Sequence, residues 1–238
     1  MSGEILDVSD ALECFFDFIR PVCSSMTVDP DVFRRTCAYT YDVSKTLLRH
    51  KQTLRLIFDE LDKMSHTTGA LITLPVWRAF LRGLNFVGDD VSERDAKLCF
   101  VWSIMCVIDG QTADGFLKET CLPFEGFLEA LCRLATLKAF PTDEEIEAAG
   151  DSDAGLYMSR LKNEQEDQYE TMLTERAGRW GDIPGNQPMH RCIHHMLMMI
   201  IRRVEDSEVN GHNTTSDLKI SPKEFRQWVE RSMKGQKQ

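Results

Sequence analysis

Long apolar runs are missing from this chain. The longest, Met196 to Ile201, meets Arg202 and Arg203 at once, whereas a membrane-spanning helix needs roughly 20 apolar residues. No phosphate loop, dinucleotide fingerprint, Gly-x-Ser-x-Gly elbow or kinase signature occurs, so nothing nominates an enzyme. Positive charge is in deficit, with 28 Lys and Arg against 38 Asp and Glu and a formal net charge of −10. Nucleic acid and anionic membranes reward cations and are therefore poor partners; a basic or apolar protein surface fits better. Basic residues are also absent where a secretory leader would carry them, that stretch holding Glu4, Asp7, Asp10 and Glu13. Ser2 replaces the glycine that myristoylation requires. The chain is therefore expected in the cytosol, with its eight cysteines reduced and mostly serving as small buried hydrophobes.

Alternating strand patterns are nearly absent, and helical periodicity takes their place. Leu47, Leu54, Ile57, Phe58, Leu61 and Met64 form one apolar stripe. Val76, Trp77, Phe80, Leu81 and Leu84 form a second, and Leu98, Val101, Trp102, Met105 and Ile108 a third. Phe124, Phe127, Leu128, Leu131 and Leu134 make a fourth, and Ile193, Met196, Leu197, Ile200, Ile201 and Val204 a fifth. Each stripe lets an amphipathic helix bury one face. Between Pro141 and Pro188 the texture changes. Thr142-Asp143-Glu144-Glu145 reads as a helix start with acids at the positive end of the dipole. Tyr157 to Arg176 is charged with sparse apolar positions, which predicts a long exposed helix connecting two lobes.

One phrase occurs in four copies: an aliphatic residue, a polar or proline helix starter, and an aromatic five positions after the aliphatic one. The copies run Val28 to Phe33, Ile72 to Trp77, Leu122 to Phe127 and Ile220 to Phe225. In the last, Ser221 is suited to cap, Pro222 to open the helix and Glu224 to complete a capping box.

These phrases, each after a polar loop and an apolar-periodic helix, resemble the EF-hand family. The resemblance covers residues 46 to 138 best, 189 to 233 next and 8 to 42 faintly. It implies that Val28, Ile72, Leu122 and Ile220 hold the eighth loop place, where two hands pair through a short two-stranded bridge. The longer middle loops and the Phe127-Leu128-Glu129-Ala130-Leu131-Cys132 run look similar to calmodulin-related proteins of protist and ciliary cytoskeletons. The implied fold is all-α: EF-hand-like helix–loop–helix pairs in two lobes joined by a charged helical connector. The expected divisions are 1–45 (an N-terminal helical region with a faint hand), 46–140 (a paired, degenerate lobe), 141–188 (connector and loop) and 189–238 (a C-terminal hand-like unit).

Calcium needs six to eight oxygens from a loop of about 12 residues, the last a bidentate Glu. That twelfth place holds Val32, Val76 and Gly126 in the first three copies. Met64 and His66 stand where the second loop needs carboxylates, and Asp109, Asp114 and Glu119 have the wrong spacing in the third. Three loops are expected to be metal-free. The fourth offers Asp206, Glu208 and Asn210 before Gly211, with Asp217 in the twelfth place. A rival frame, set by Ser221, makes Glu224 the twelfth residue with about seven residues inserted. Any calcium held there is expected to bind weakly, and no other cofactor is implied.

His190, Cys192, His194 and His195 crowd one helix start, where capping and packing compete with zinc binding that would need two further ligands. Cys99 and Cys106 are expected to share a helix face in the core. Met196, Met198 and Met199 either fill the core or line an adaptable groove for a partner helix. The leading expectation is a non-catalytic scaffold or adaptor that docks a partner helix or a cytoskeletal lattice. By resemblance the setting is a microtubule-based cytoskeleton such as a cilium or flagellum, with tubulin or axonemal accessory proteins as partners. The alternative is a calcium sensor working through the Asp206 loop.

Overall fold

The computed structural model describes residues 8–9, 11–17, 30–182, 187–205 and 220–233, and helix dominates them. Residues 11–17 are helical. Then come α1 (Pro30–Phe33), continued by a π-helical turn (Arg34–Ala38), α2 (Tyr41–Arg49), α3 (Lys51–Ser65), α4 (Leu74–Gly83) and α5 (Glu93–Val101). They are followed by α6 (Ala113–Thr120), α7 (Phe124–Leu137), α8 (Asp143–Ala149), α9 (Ala154–Glu164), α10 (Glu166–Arg176), α11 (Met189–Glu205) and α12 (Pro222–Ser232). Among the described residues no strand forms, and the architecture is all-α.

Local chemistry sets the helix starts. Thr40, Ser92, Thr112, Thr142, Asp153 and Ser221 each accept a hydrogen bond from a backbone N–H of the first turn. Full capping boxes form at Thr142 with Glu145 and at Ser221 with Glu224, at the sites where the sequence pattern puts them. α3 ends on His66, which takes the left-handed conformation (φ 51°), a C-terminal arrangement more usual for glycine or asparagine.

The packing centres on α7. Its sequence is apolar on nearly every side, and a helix of that kind belongs inside. Phe127, Ala130, Leu131, Cys132, Leu134, Ala135 and Leu137 are all buried, and α5 and α11 pack against it. The aromatics of three phrases converge beside it: Trp77, Phe127 and Phe225 are each fully buried. Trp77 meets Phe127 edge-on at 6.2 Å, while Phe80 lies 6.5 Å from Phe127 and 6.4 Å from Phe225. Trp228 stands edge-on to Phe80 at 5.9 Å, and the Trp77 indole N–H donates to the Ala96 carbonyl at 2.8 Å. Phe33, the aromatic of the first phrase, sits outside this group and lies under the Arg133 guanidinium at 4.1 Å.

The buried cluster is continuous from Ala38 to Met233 and includes α11 and α12 together with α3, α4 and α7. Two expectations about the architecture are corrected. Tyr157 to Arg176 does not form one exposed helix. The chain breaks at Gln165 (φ −145°, ψ 61°), and α9 packs along α11. Met158, Leu161, Met172 and Leu173 are buried around Ala139 in a smaller second core. The apolar residues looked sparse because they belong to two short helices whose inward faces do not continue one another. The third stripe was read in the wrong phase. The Ser92–Asp95 capping box starts α5 early and it ends at Val101, so Ala96, Cys99 and Phe100 face inward while Val101 and Ile108 are exposed. Cys99 is accordingly buried, and Cys106 lies beyond the helix and is exposed.

Candidate functional site

Two phrases meet in the paired turns. Ile72 and Leu122 form an isolated antiparallel bridge, with Ile72 N donating to Leu122 O (2.9 Å) and Leu122 N to Ile72 O (2.8 Å). Both side chains are fully buried. The preceding turn is closed by the protein's own groups: the Leu71 N–H donates to the Asp62 carboxylate at 2.9 Å, and the Thr73 N–H to the Ser65 hydroxyl at 3.1 Å. At Gly126, a Cβ would fall 2.8 Å from the Ser103 carbonyl oxygen. No side chain fits there without movement, so backbone contact excludes a carboxylate at that place. The loop that leads to Leu122 contains α6 as an insertion, with Phe116 exposed.

Of the fourth-loop residues, Asp206, Glu208, Asn210 and Asp217 lie outside the described residues. Glu224 is described, and its carboxylate accepts from the Ser221 N–H at 2.7 Å as the capping partner. Among the described residues no group of three or more His, Cys, Asp or Glu side chains is placed to hold a metal ion.

Of the two readings open for the methionines, core filling or a groove, burial favours the core. Met196 and Met198 are buried, and Met199 is partly buried against both cores. α11 turns them inward because α7 covers one of its sides and α9 another, and Met199 also lines a cavity beside α9.

An apolar groove does exist elsewhere. It has a volume of about 350 Å³ and lies between α2, the start of α3 and the outer side of α7. Leu47, Leu54, Phe124, Leu128 and Cys132 form its walls, with Ala38 at one end. Leu48, Tyr39 and Tyr41 stand exposed at or beside its rim, Leu48 at 67%. Lys51 on α3 and Glu125 on α7 are exposed charged residues of its lining. The groove exists because α2 and α3 part at His50, whose backbone (φ −98°, ψ 10°) ends one helix and starts the next.

A buried charge cluster forms the groove's floor. Glu129, whose side chain is fully buried, pairs with Arg133 at 2.6 Å and with Arg34 at 3.0 Å, and accepts from the Tyr39 hydroxyl at 2.8 Å. The Tyr39 phenol is pushed up to about 12, first by burial and then by the Glu129 carboxylate. This cluster pins the π-helical turn to α7 and fixes Tyr39 beside the opening. Its partners are 90 and 95 positions apart in the chain, and sequence reasoning missed it.

The histidine cluster packs rather than converging on a centre. His194 Nδ1 lies 3.4 Å from His50 Nε2, a residue that the sequence reading passed over. His195 is buried 3.4 Å from the Asp143 carboxylate. Burial, helped by Arg191, depresses both His194 and His195 to about 4. The Cys192 sulfhydryl faces the Gln187 carbonyl, and burial pushes it up to about 11.

No helix among the described residues is long and apolar enough to cross a membrane. No family model, curated protein or solved structure matches the chain.

Proposed function

We propose that the protein is a non-catalytic scaffold that docks an amphipathic helix of a partner protein in the groove between α2, α3 and α7, and does so without calcium. The observation that carries this reading is the groove itself: an open, nearly wholly apolar channel with exposed Leu48 and tyrosines at its mouth. Helix-in-groove recognition uses such a channel, with anchors at helical spacing on the ligand. Exposed Lys51 and Glu125 in the lining favour a partner helix that carries charges of both signs beside its apolar stripe.

The Ile72–Leu122 bridge supports a degenerate EF-hand pair as the source of this architecture. The Asp62–Leu71 hydrogen bond supports turns that close on protein groups instead of an ion. In keeping with the resemblance of residues 46 to 138, the proposed setting is a microtubule-based cytoskeleton, among axonemal accessory proteins of a cilium or flagellum.

The test places a photo-crosslinking amino acid at Leu48, identifies the captured helix, and measures its binding to the purified full chain. Burying one leucine is worth about 1.5–3 kcal/mol, so Leu48→Glu is expected to weaken binding about tenfold or more, equally with calcium and with a chelator. Unchanged affinity in Leu48→Glu removes the groove from the reading. Binding that requires calcium replaces the scaffold with the sensor.

A further inference from the structure

A second cavity, of about 300 Å³, opens between the α9–α10 corner, the last turns of α11 and the residues that follow α4. It shares no residue with the apolar groove, so its occupancy is independent of the scaffold reading. Its lining carries Lys138, Lys162, Arg202 and Arg203, together with Tyr169 and Ser159, and none of the described residues that line it is a carboxylate. In a chain with more acids than bases, four cations around one small opening run against composition.

The fold holds these cations in place. Lys138 is gripped by Asp90 at 2.8 and 3.0 Å, and Arg202 by Asp153 at 2.8 and 3.1 Å and by Glu205 at 3.1 Å. None of these three carboxylates belongs to the lining. Arg203 donates to the Leu84 carbonyl at 3.3 Å. Lys162 rests its ammonium over the Tyr169 ring, 5.6 Å from the centroid. Burial, with the Asp90 charge adding to it, raises the Tyr169 pKa, so the phenol remains an O–H donor. The break at Gln165 creates the site, since it folds α10 back and sets Tyr169 beside Lys162.

We propose that this cavity binds the phosphoryl group of a small phosphorylated molecule. A phosphoryl group offers several acceptor oxygens and up to two negative charges. Guanidinium forks and ammonium groups meet those oxygens with charge-assisted hydrogen bonds. The volume falls at the low end for small-molecule pockets, which suits a phosphate or diphosphate on a compact body. Nucleic acid is disfavoured by the chain's net charge of −10.

Calorimetric titration of the full chain with inorganic pyrophosphate tests this, at an ionic strength held constant with sodium chloride. Saturable one-to-one binding is expected. Lys162 is exposed, so Lys162→Gln should keep the parent melting temperature while weakening binding about tenfold or more, as loss of a charge-assisted contact does. The control Lys118→Gln, on α6, should bind like the parent. The proposal is overturned if pyrophosphate gives no saturable heat, or if Lys162→Gln binds as tightly as the Lys118→Gln control.

Discussion

Replacing Glu129 by leucine removes the centre of the charge cluster beneath the groove, and the structure sets the size of the effect. Arg133 has a side chain only 4% exposed, lies between the Phe33 and Trp102 rings, and pairs with Glu129 at 2.6 Å. Without Glu129 its charge is left buried and uncompensated, which costs about 3–5 kcal/mol. Arg34 loses less, because it also reaches Asp31 at 3.4 Å and is nearer to water. The Tyr39 hydroxyl loses its acceptor but is close enough to solvent to rehydrate. Glu129→Leu should therefore lower unfolding stability by about 3–5 kcal/mol, whereas Glu129→Leu with Arg133→Met should recover most of it, since apolar replacement of a whole buried pair is often close to neutral. Urea titration of the full-length variants, with Arg133→Met alone to complete the double-mutant cycle, measures the coupling. A loss below about 1 kcal/mol for Glu129→Leu, or a double variant no more stable than the single, would refute the view that this cluster holds the π-helical turn to α7.

Three further outcomes are expected. His195 is depressed from 6.5 to about 4 in the folded state, so the unfolded chain binds the extra proton first. Its contribution is complete above about pH 6.5 and is lost as pH falls toward 4, with a ceiling of about 3 kcal/mol; melting temperature against pH should fall across that window, and less steeply in His195→Phe. Gly126→Ala presses a methyl against the Ser103 carbonyl and should cost about 1–3 kcal/mol by denaturant titration. Met196→Ala opens a hole in the core and should cost about 2–5 kcal/mol, while the affinity of the folded protein for a groove-bound helix stays at the parent value.

Much of the local structure could be read from the chain. Ser221, Pro222 and Glu224 announced the start of α12, Thr142 and Glu145 that of α8, and the aliphatic residues Ile72 and Leu122 marked where two turns meet. All of these depend on a few adjacent residues, and capping chemistry acts at that range. The groove, the cation-lined cavity and the Glu129 cluster were hidden because their parts lie far apart in sequence. Arg34 and Glu129, or His50 and His194, meet only once the whole core is assembled. The methionines left two readings open, core or groove, because periodicity gives the face of a helix but not how many neighbours cover it, and α11 is covered by α2, α7 and α9. Gln165 carries no breaker signature, so nothing in the residue itself marked the corner.

The Ile72–Leu122 junction is fastened by main-chain N–H and C=O groups, which every residue except proline supplies. Such a clasp uses no side-chain group, so it asks little of the identity of the two residues it joins. The exposed parts of the intervening loops can thereby vary while the bridge is kept, with Leu71, Ser103 and Cys121 held in the interior. An insertion such as α6, displaying Phe116 to the outside, is the sort of ornament that a joint of this kind permits.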